Sequence, residues 1–251
     1  MGRTCTTSLF VAGALALAAC GGGSDDGNDA GRERATTTTE ATATTVAAVP
    51  ATTGAQVAQA TGPQVQVYAS ASEDEPTTVL DNPNENGAPL VFLVEQAQGE
   101  WLNVLLPIRP NGSTGWIRAA DVTVAANPYS IDIALAEHRL VVHKGDEVVV
   151  DTRIGVGTAS TPTPGGKYYI KELLQPSDPG GAYGPYAYGL SGFSNVLEEF
   201  NGGDGVIGIH GTDEPEAIGR DVSHGCIRVD NDTITQMAAV LPLGTPVHIN
   251  P

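Results

Sequence analysis

The chain has little of what most often declares a function. It holds only 3 Cys, 2 Trp and 4 Phe, and its 12 Lys and Arg are outnumbered by 29 Asp and Glu, giving a net charge of -17. Three cysteines are too few for a disulfide scaffold or a four-thiolate zinc site. With no long basic stretch to neutralise phosphates, nucleic acid is not expected as a partner. No apolar run reaches the roughly 20 residues that a membrane-spanning helix needs. Long charged periodic runs are missing too, which excludes a helical bundle. What the chain does have is 31 Gly and 17 Pro, the punctuation of many turns and short strands. Its 251 residues divide better into two small domains than into one large one.

Residues 1–19 read as a secretory signal: Arg3, then an apolar run from Leu9 to Ala19. Leu17-Ala18-Ala19-Cys20 resembles the lipobox of bacterial lipoproteins. That resemblance implies cleavage before Cys20 and a diacylglycerol thioether on its sulfur. The mature protein would then be extracytoplasmic, lipid-anchored to the bacterial membrane and facing the cell wall. Residues 20–63 are rich in Thr, Ala and Gly, lack aromatic residues and show no period. Such a segment cannot bury enough surface to offset ordering, so a disordered tether is expected.

Two β-rich modules follow. In residues 64–126, strand candidates (Val65 to Tyr68, Leu90 to Val94, Trp101 to Leu105, Gly115 to Arg118) alternate with turn signals at Asp81-Asn82-Pro83-Asn84, Gln98-Gly99-Glu100 and Asn111-Gly112-Ser113. Gly99-Glu100-Trp101 before one strand and Gly115-Trp116-Ile117 at the last resemble a bacterial SH3-like domain, a small barrel. In such families the module often docks an enzyme on the wall; here it could equally be a spacer or a packing partner for the next domain. Residues 128–251 form the second module. Ser130 to Leu135 alternates with period two, and Arg139 to His143 with Glu147 to Asp151 forms a hairpin around Lys144-Gly145-Asp146. Thr161 to Lys167 is an irregular loop, and Thr233 to Leu241 is a helix capped by Asp230 or Asn231. The fold class expected is mostly β with one or two short helices.

Once Cys5 leaves with the signal and Cys20 is lipidated, Cys226 stands alone. It lies in Ser223-His224-Gly225-Cys226-Ile227-Arg228. On extended backbone His224, Cys226 and Arg228 share a face. Cationic neighbours lower a thiol's pKa and raise its thiolate fraction, which is what a nucleophile needs. Upstream, Val206-Ile207-Gly208-Ile209-His210 ends a strand on a histidine, followed by Gly211 and Thr212. An imidazole beside a thiol can accept its proton and return it later.

His210-Gly211-Thr212 followed by Ser223-His224-Gly225-Cys226-Ile227-Arg228, with Thr161-Pro162-Thr163-Pro164-Gly165 upstream, resembles the L,D-transpeptidase (YkuD-type) family over 128–251. The resemblance implies a β-sandwich-like catalytic domain acting on peptidoglycan stem peptides without metal or organic cofactor. Cys226 would attack the carbonyl of the third stem residue, a diamino acid, and release the terminal D-residue. A side-chain amine of a neighbouring stem would then attack the thioester, joining two third residues. His210 would be general base and acid, with the Ser223 carbonyl holding its other ring nitrogen. Backbone N–H groups at Gly225 and Cys226 would stabilise the oxyanion, and His224 would shape the loop or supplement that site. Arg228, Gly211, Thr212, Tyr186 and Phe193, with Tyr183, are candidates for substrate contact. Many members carry Asn where this chain has Arg228. A monomer is expected. The acids Asp204, Asp213, Glu214, Glu216, Asp221 and Asp230 either attract a cationic acceptor or are solvated surface charge. Three rivals remain open: an L,D-carboxypeptidase using water as acceptor, a non-enzymatic wall-binding lipoprotein, and a metal site on His210, His224 and Cys226 that lacks a fourth ligand.

Overall fold

The computed structural model describes residues 54–199 and 203–251. The expected signal peptide, Cys20 and most of the expected tether lie outside them. Among the described residues no helix is long and apolar enough to cross a membrane.

The first module is built from seven strands: β1 (Ala55–Ala60), β2 (Gln64–Val67), β3 (Thr78–Asp81), β4 (Val91–Gln98), β5 (Trp101–Leu105), β6 (Thr114–Arg118) and β7 (Val122–Asn127). Five of them form a sheet in the order β6-β5-β4-β1-β7, and β2 and β3 pair as a hairpin. Strand β1 corrects the tether boundary. Its Ala-Gln-Val-Ala-Gln-Ala composition looks unstructured, yet Ala58 is fully buried and the strand pairs with β4 and β7. Small side chains suit a strand packed closely between two neighbours, so low hydropathy there does not mean disorder.

The second module contains β8 (Tyr129–Ala134), β9 (Arg139–Lys144), β10 (Glu147–Arg153), β11 (Val156–Gly157), β12 (Gly166–Leu174), β13 (Ala187–Phe193), β14 (Val206–His210), β15 (Asp221–Ser223), β16 (Ile227–Arg228), the helix α1 (Asn231–Val240) and β17 (Pro246–Asn250). Eight strands make one curled sheet in the order β10-β9-β8-β17-β12-β13-β14-β16. The chain is mostly β, with α1 the one α-helix among the described residues. Asp230 caps that helix: its carboxylate accepts from the Thr233 N–H and hydroxyl.

Strand β13 carries no period-two signal because both its faces are covered; all but its first residue are buried. Glycines let other side chains cross it. A Cβ on Gly189 would lie 2.4 Å from the Glu172 carboxylate, and one on Gly192 would lie 2.3 Å from the Tyr168 ring.

Each module has its own apolar core, one around Phe92 and Leu102 and the other around Ile131, Leu190 and Ile209. A third cluster joins them: Val57, Val91, Leu93 and Leu105 from the first module surround Tyr169 from the second.

Candidate active site

Strands β14 and β16 run parallel at the edge of the large sheet, with Ile209 opposite Ile227 and His210 opposite Arg228. That register places Cys226, the residue just before β16, alongside Gly208. The Gly208 N–H donates to Cys226 Sγ at 3.4 Å, and Sγ lies 4.0 Å from the Val206 carbonyl oxygen. Alternate residues of β14 share a face, so Gly208 and His210 present the same side. A Cβ built on Gly208 would sit 3.9 Å from Cys226 Sγ and 4.0 Å from His210 Cδ2. Thiol and imidazole therefore border one small space, kept open because residue 208 has no side chain. An alanine there would also press to 2.9 Å on the Tyr188 carbonyl oxygen.

His210 is buried, and its Nδ1 lies 2.6 Å from the Gly211 carbonyl oxygen. A carbonyl only accepts, so Nδ1 carries the hydrogen and Nε2 is left as the acceptor. The Ser223 carbonyl does not hold this ring, contrary to the sequence expectation; it accepts from the Thr158 N–H and the Thr161 hydroxyl. The edge of the Tyr183 ring packs on the imidazole, with centroids 4.8 Å apart.

Ser223 acts through its hydroxyl instead. Oγ donates to the Cys226 carbonyl at 2.6 Å and accepts from the Gly225 N–H at 3.1 Å. This closes the turn that presents the thiol. Gly225 sits at φ +121, where an added Cβ would meet Ile207 Cδ1 at 3.0 Å, so the turn requires glycine. Its N–H is already engaged and is not available to an oxyanion; the Cys226 N–H is the remaining candidate.

The electrostatics also correct the sequence reading. Burial pushes the Cys226 thiol up, outweighing the Gly208 N–H and the Arg228 charge, which both pull it down. Burial lowers His210 to about 4; the Gly211 carbonyl opposes this and Arg228 adds to it. Near neutral pH both groups therefore rest uncharged. The Arg228 guanidinium pairs with the Glu214 carboxylate, and its Nε is buried without a partner.

Two cavities meet at this pair. One of about 230 Å³ is lined by Tyr183, His224, Arg228, Ser194 and Leu197 as well as Cys226 and His210. Another of about 650 Å³ reaches the same two residues from the side of Glu172, Glu85 and Asn86. Of the expected contact residues, Tyr183, His224 and Arg228 line this space. Tyr186 packs on the core, and Phe193 lines a separate cavity with Pro107 and Lys171. Gly211 and Thr212 form scaffold behind His210. Gly211 is tight against Gly184 and Asn231, and the Thr212 N–H donates to Asn231 Oδ1 at 2.9 Å. Three of the six acids have local work: Glu214 holds Arg228, Asp221 lies 2.7 Å from His138, and Asp230 caps α1. Among the described residues no group of His, Cys, Asp and Glu is arranged to hold a metal ion.

Sequence reasoning missed Gly208 and Asn231. Gly208 lay inside a recognisable strand, but its role depends on the parallel register with β16, which no local pattern records. Asn231 was visible only as a helix cap.

Residues 128–249 match the family profile of the L,D-transpeptidase catalytic domain, YkuD. YkuD of Bacillus licheniformis is 37% identical over 124 residues, covering 49% of this chain and 67% of the relative. YkuD of Bacillus subtilis is 35% identical over 123 residues, covering 49% and 66%. The matches thus span about half of this chain and about two thirds of those relatives. A solved L,D-transpeptidase from Mycobacterium smegmatis is 15% identical, covers 65% of this chain and 92% of its own, and superposes with a TM-score of 0.41.

Proposed function

This chain belongs to the YkuD family of L,D-transpeptidase catalytic domains, and from that premise we propose that it crosslinks peptidoglycan stem peptides through a thioester on Cys226. The observation that carries the reading is the shared space above Gly208, bordered by a thiol and by an imidazole whose tautomer leaves Nε2 as a base.

In the first half-reaction Cys226 Sγ bonds to the carbonyl carbon of the third stem residue as the S–H proton moves to His210 Nε2. The Cys226 N–H faces the developing oxyanion. Collapse breaks the C–N bond to the terminal D-residue, and His210 returns the proton to that departing amine. In the second half-reaction the side-chain amine of another stem attacks the thioester, His210 accepts its proton, and the thiol leaves reprotonated. The product is an amide between two third-position diamino acids. Water in place of the amine would give the L,D-carboxypeptidase outcome with the same residues. The reading also keeps the lipid anchor at Cys20, a place at the outer membrane surface facing the wall, and an SH3-like first module.

The test is mass spectrometry of the protein after exposure to a tetrapeptide stem, and separately to a carbapenem. Wild type gains a covalent adduct on Cys226, and a second stem converts the acyl form to crosslinked dimer. Cys226→Ala folds normally but gains no mass and makes no product. Equal labelling of both proteins would refute the assignment.

A further inference from the structure

The wall facing the nucleophile is held from the other module. We propose that Arg109, in the loop between β5 and β6 of the first module, is a positioning residue for the Cys226 cleft; its catalytic readout rests on the acyl transfer proposed above. Arg109 Nη1 donates to the Ser194 carbonyl at 2.8 Å, and Nη2 donates to the carbonyls of Leu197 at 3.1 Å and Asp204 at 2.8 Å. The guanidinium lies over the Phe193 ring, 4.8 Å from its centroid. Two residues on, Asn111 pairs with both backbone groups of Phe193: its Nδ2 donates to the carbonyl at 2.7 Å and its Oδ1 accepts the N–H at 2.8 Å.

These contacts fall where β13 ends and β14 has yet to begin. Ser194, Leu197 and Gly205 line the smaller cavity beside Cys226, while Asp204 and Gly205 line the larger one. Gly205, at φ +67, lets the returning chain pass close to Leu197; a Cβ there would lie 2.3 Å from the Leu197 carbonyl oxygen. Among the described residues, local bonds on this approach run from the Ser194 N–H to the Gly205 carbonyl, from the Gly205 N–H to the Gly203 carbonyl, and from the Val196 and Leu197 N–H groups to Ser194 Oγ. The Arg109 fork ties both flanks together by their carbonyls. Its planar geometry matters, because a single lysine nitrogen cannot present donors along the same divergent lines.

The module interface does not hang on this residue. The cluster around Tyr169, the two asparagine amides of Asn84 and Asn86 on the Glu172 carboxylate, and the Lys167–Glu95 ion pair also join the modules. Losing Arg109 should therefore loosen the cleft wall and leave the fold standing. A peptide whose carbonyl must be aligned on Sγ is sensitive to that wall, whereas a small reagent that needs only the thiol is not.

The experiment compares the full chain with Arg109→Ala and Arg109→Lys by four readouts: amide exchange, stem-peptide kinetics, iodoacetamide alkylation of Cys226, and melting. In Arg109→Ala, amides of residues 193–199 should exchange about tenfold faster, while those of α1 are unchanged. KM for the stem peptide should rise about tenfold with kcat changed by less than about threefold, and Arg109→Lys should recover only part of the loss. Alkylation should stay within about twofold of wild type and the melting midpoint within a few degrees. Unchanged exchange and KM would overturn the proposal, as would a parallel fall in alkylation, KM performance and melting, which marks general loosening. If wild type neither turns over stem peptide nor is acylated, the enzymatic reading fails, and the exchange comparison still decides whether Arg109 positions the wall.

Discussion

A histidine buried without charge makes a protein acid-labile in a window that can be worked out beforehand. In the folded chain burial lowers His210 from its usual 6.5 to about 4. In the unfolded chain it titrates near 6.5. Between those values the unfolded state binds a proton that the folded state refuses, so stability rises with pH across the window. The contribution is present in full above about pH 6.5 and is lost as pH falls towards about 4. A gap of roughly 2.5 units at 1.36 kcal/mol each amounts to about 3 kcal/mol. That is a large share of the 5–15 kcal/mol typical of a folded domain, as an order of magnitude. Carboxylates titrate in the same range, so the informative quantity is the difference between wild type and His210→Gln, whose side chain takes up no proton. Urea unfolding from about pH 7 to about pH 4 should show wild type losing about 3 kcal/mol more than the variant. Parallel curves for the two proteins would refute the reasoning, as would an imidazole titrating near its usual value by NMR.

Two other perturbations follow from the same geometry. Arg228→Gln removes the charge that lowers both Cys226 and His210, so both should titrate higher; the acid limb of kcat/KM moves up from about 4 and the thiol alkylates more slowly at a given pH. Ser223→Ala leaves the buried Gly225 N–H without its acceptor and the Cys226 carbonyl without its donor. It should lower stability by about 2 kcal/mol and kcat by at least about tenfold, measured by urea unfolding and stem-peptide turnover.

How much of this the sequence discloses depends on whether the relevant physics is local. The hairpin of β9 and β10, the helix and its Asp230 cap are local, and period, turn residues and cap chemistry announced them. Cys226 and His210 could be paired because each lay in a short segment of readable type. Strands β1 and β13 were hidden for opposite reasons: β1 is built of small residues that look like tether, and β13 is buried on both faces so that no alternation remains. The partner of His210 Nδ1 was misplaced because the choice between the Gly211 and Ser223 carbonyls is made by the β14 turn and the Thr158–Thr161 loop. The thiol's direction of shift was misjudged for a related reason. Arg228 is visible in the sequence and does lower it, but the burial that outweighs Arg228 depends on β14, whose Gly208 N–H and Val206 carbonyl lie against Sγ.

That outcome bears on how Cys226, the one cysteine among the described residues, can be unreactive at rest and still serve the proposed chemistry. With Sγ pushed up and the imidazole pushed down, the resting pair is S–H and neutral N, and an ion pair in that buried space is disfavoured at both ends. Arg228 cannot create the ion pair, because the field that favours thiolate penalises imidazolium by the same Coulomb interaction. Under the proposed acyl transfer, the proton moves favourably only when something shares the cost: an incoming carbonyl whose carbon bonds to sulfur while its oxygen takes the charge towards the Cys226 N–H. Oxidants and adventitious electrophiles react with thiolate far faster than with thiol, so a resting Cys226 is a poor target for them. On this reasoning the burial that defeats the simple expectation of a low thiol pKa is part of the chemistry, and reactivity arises with the substrate in place.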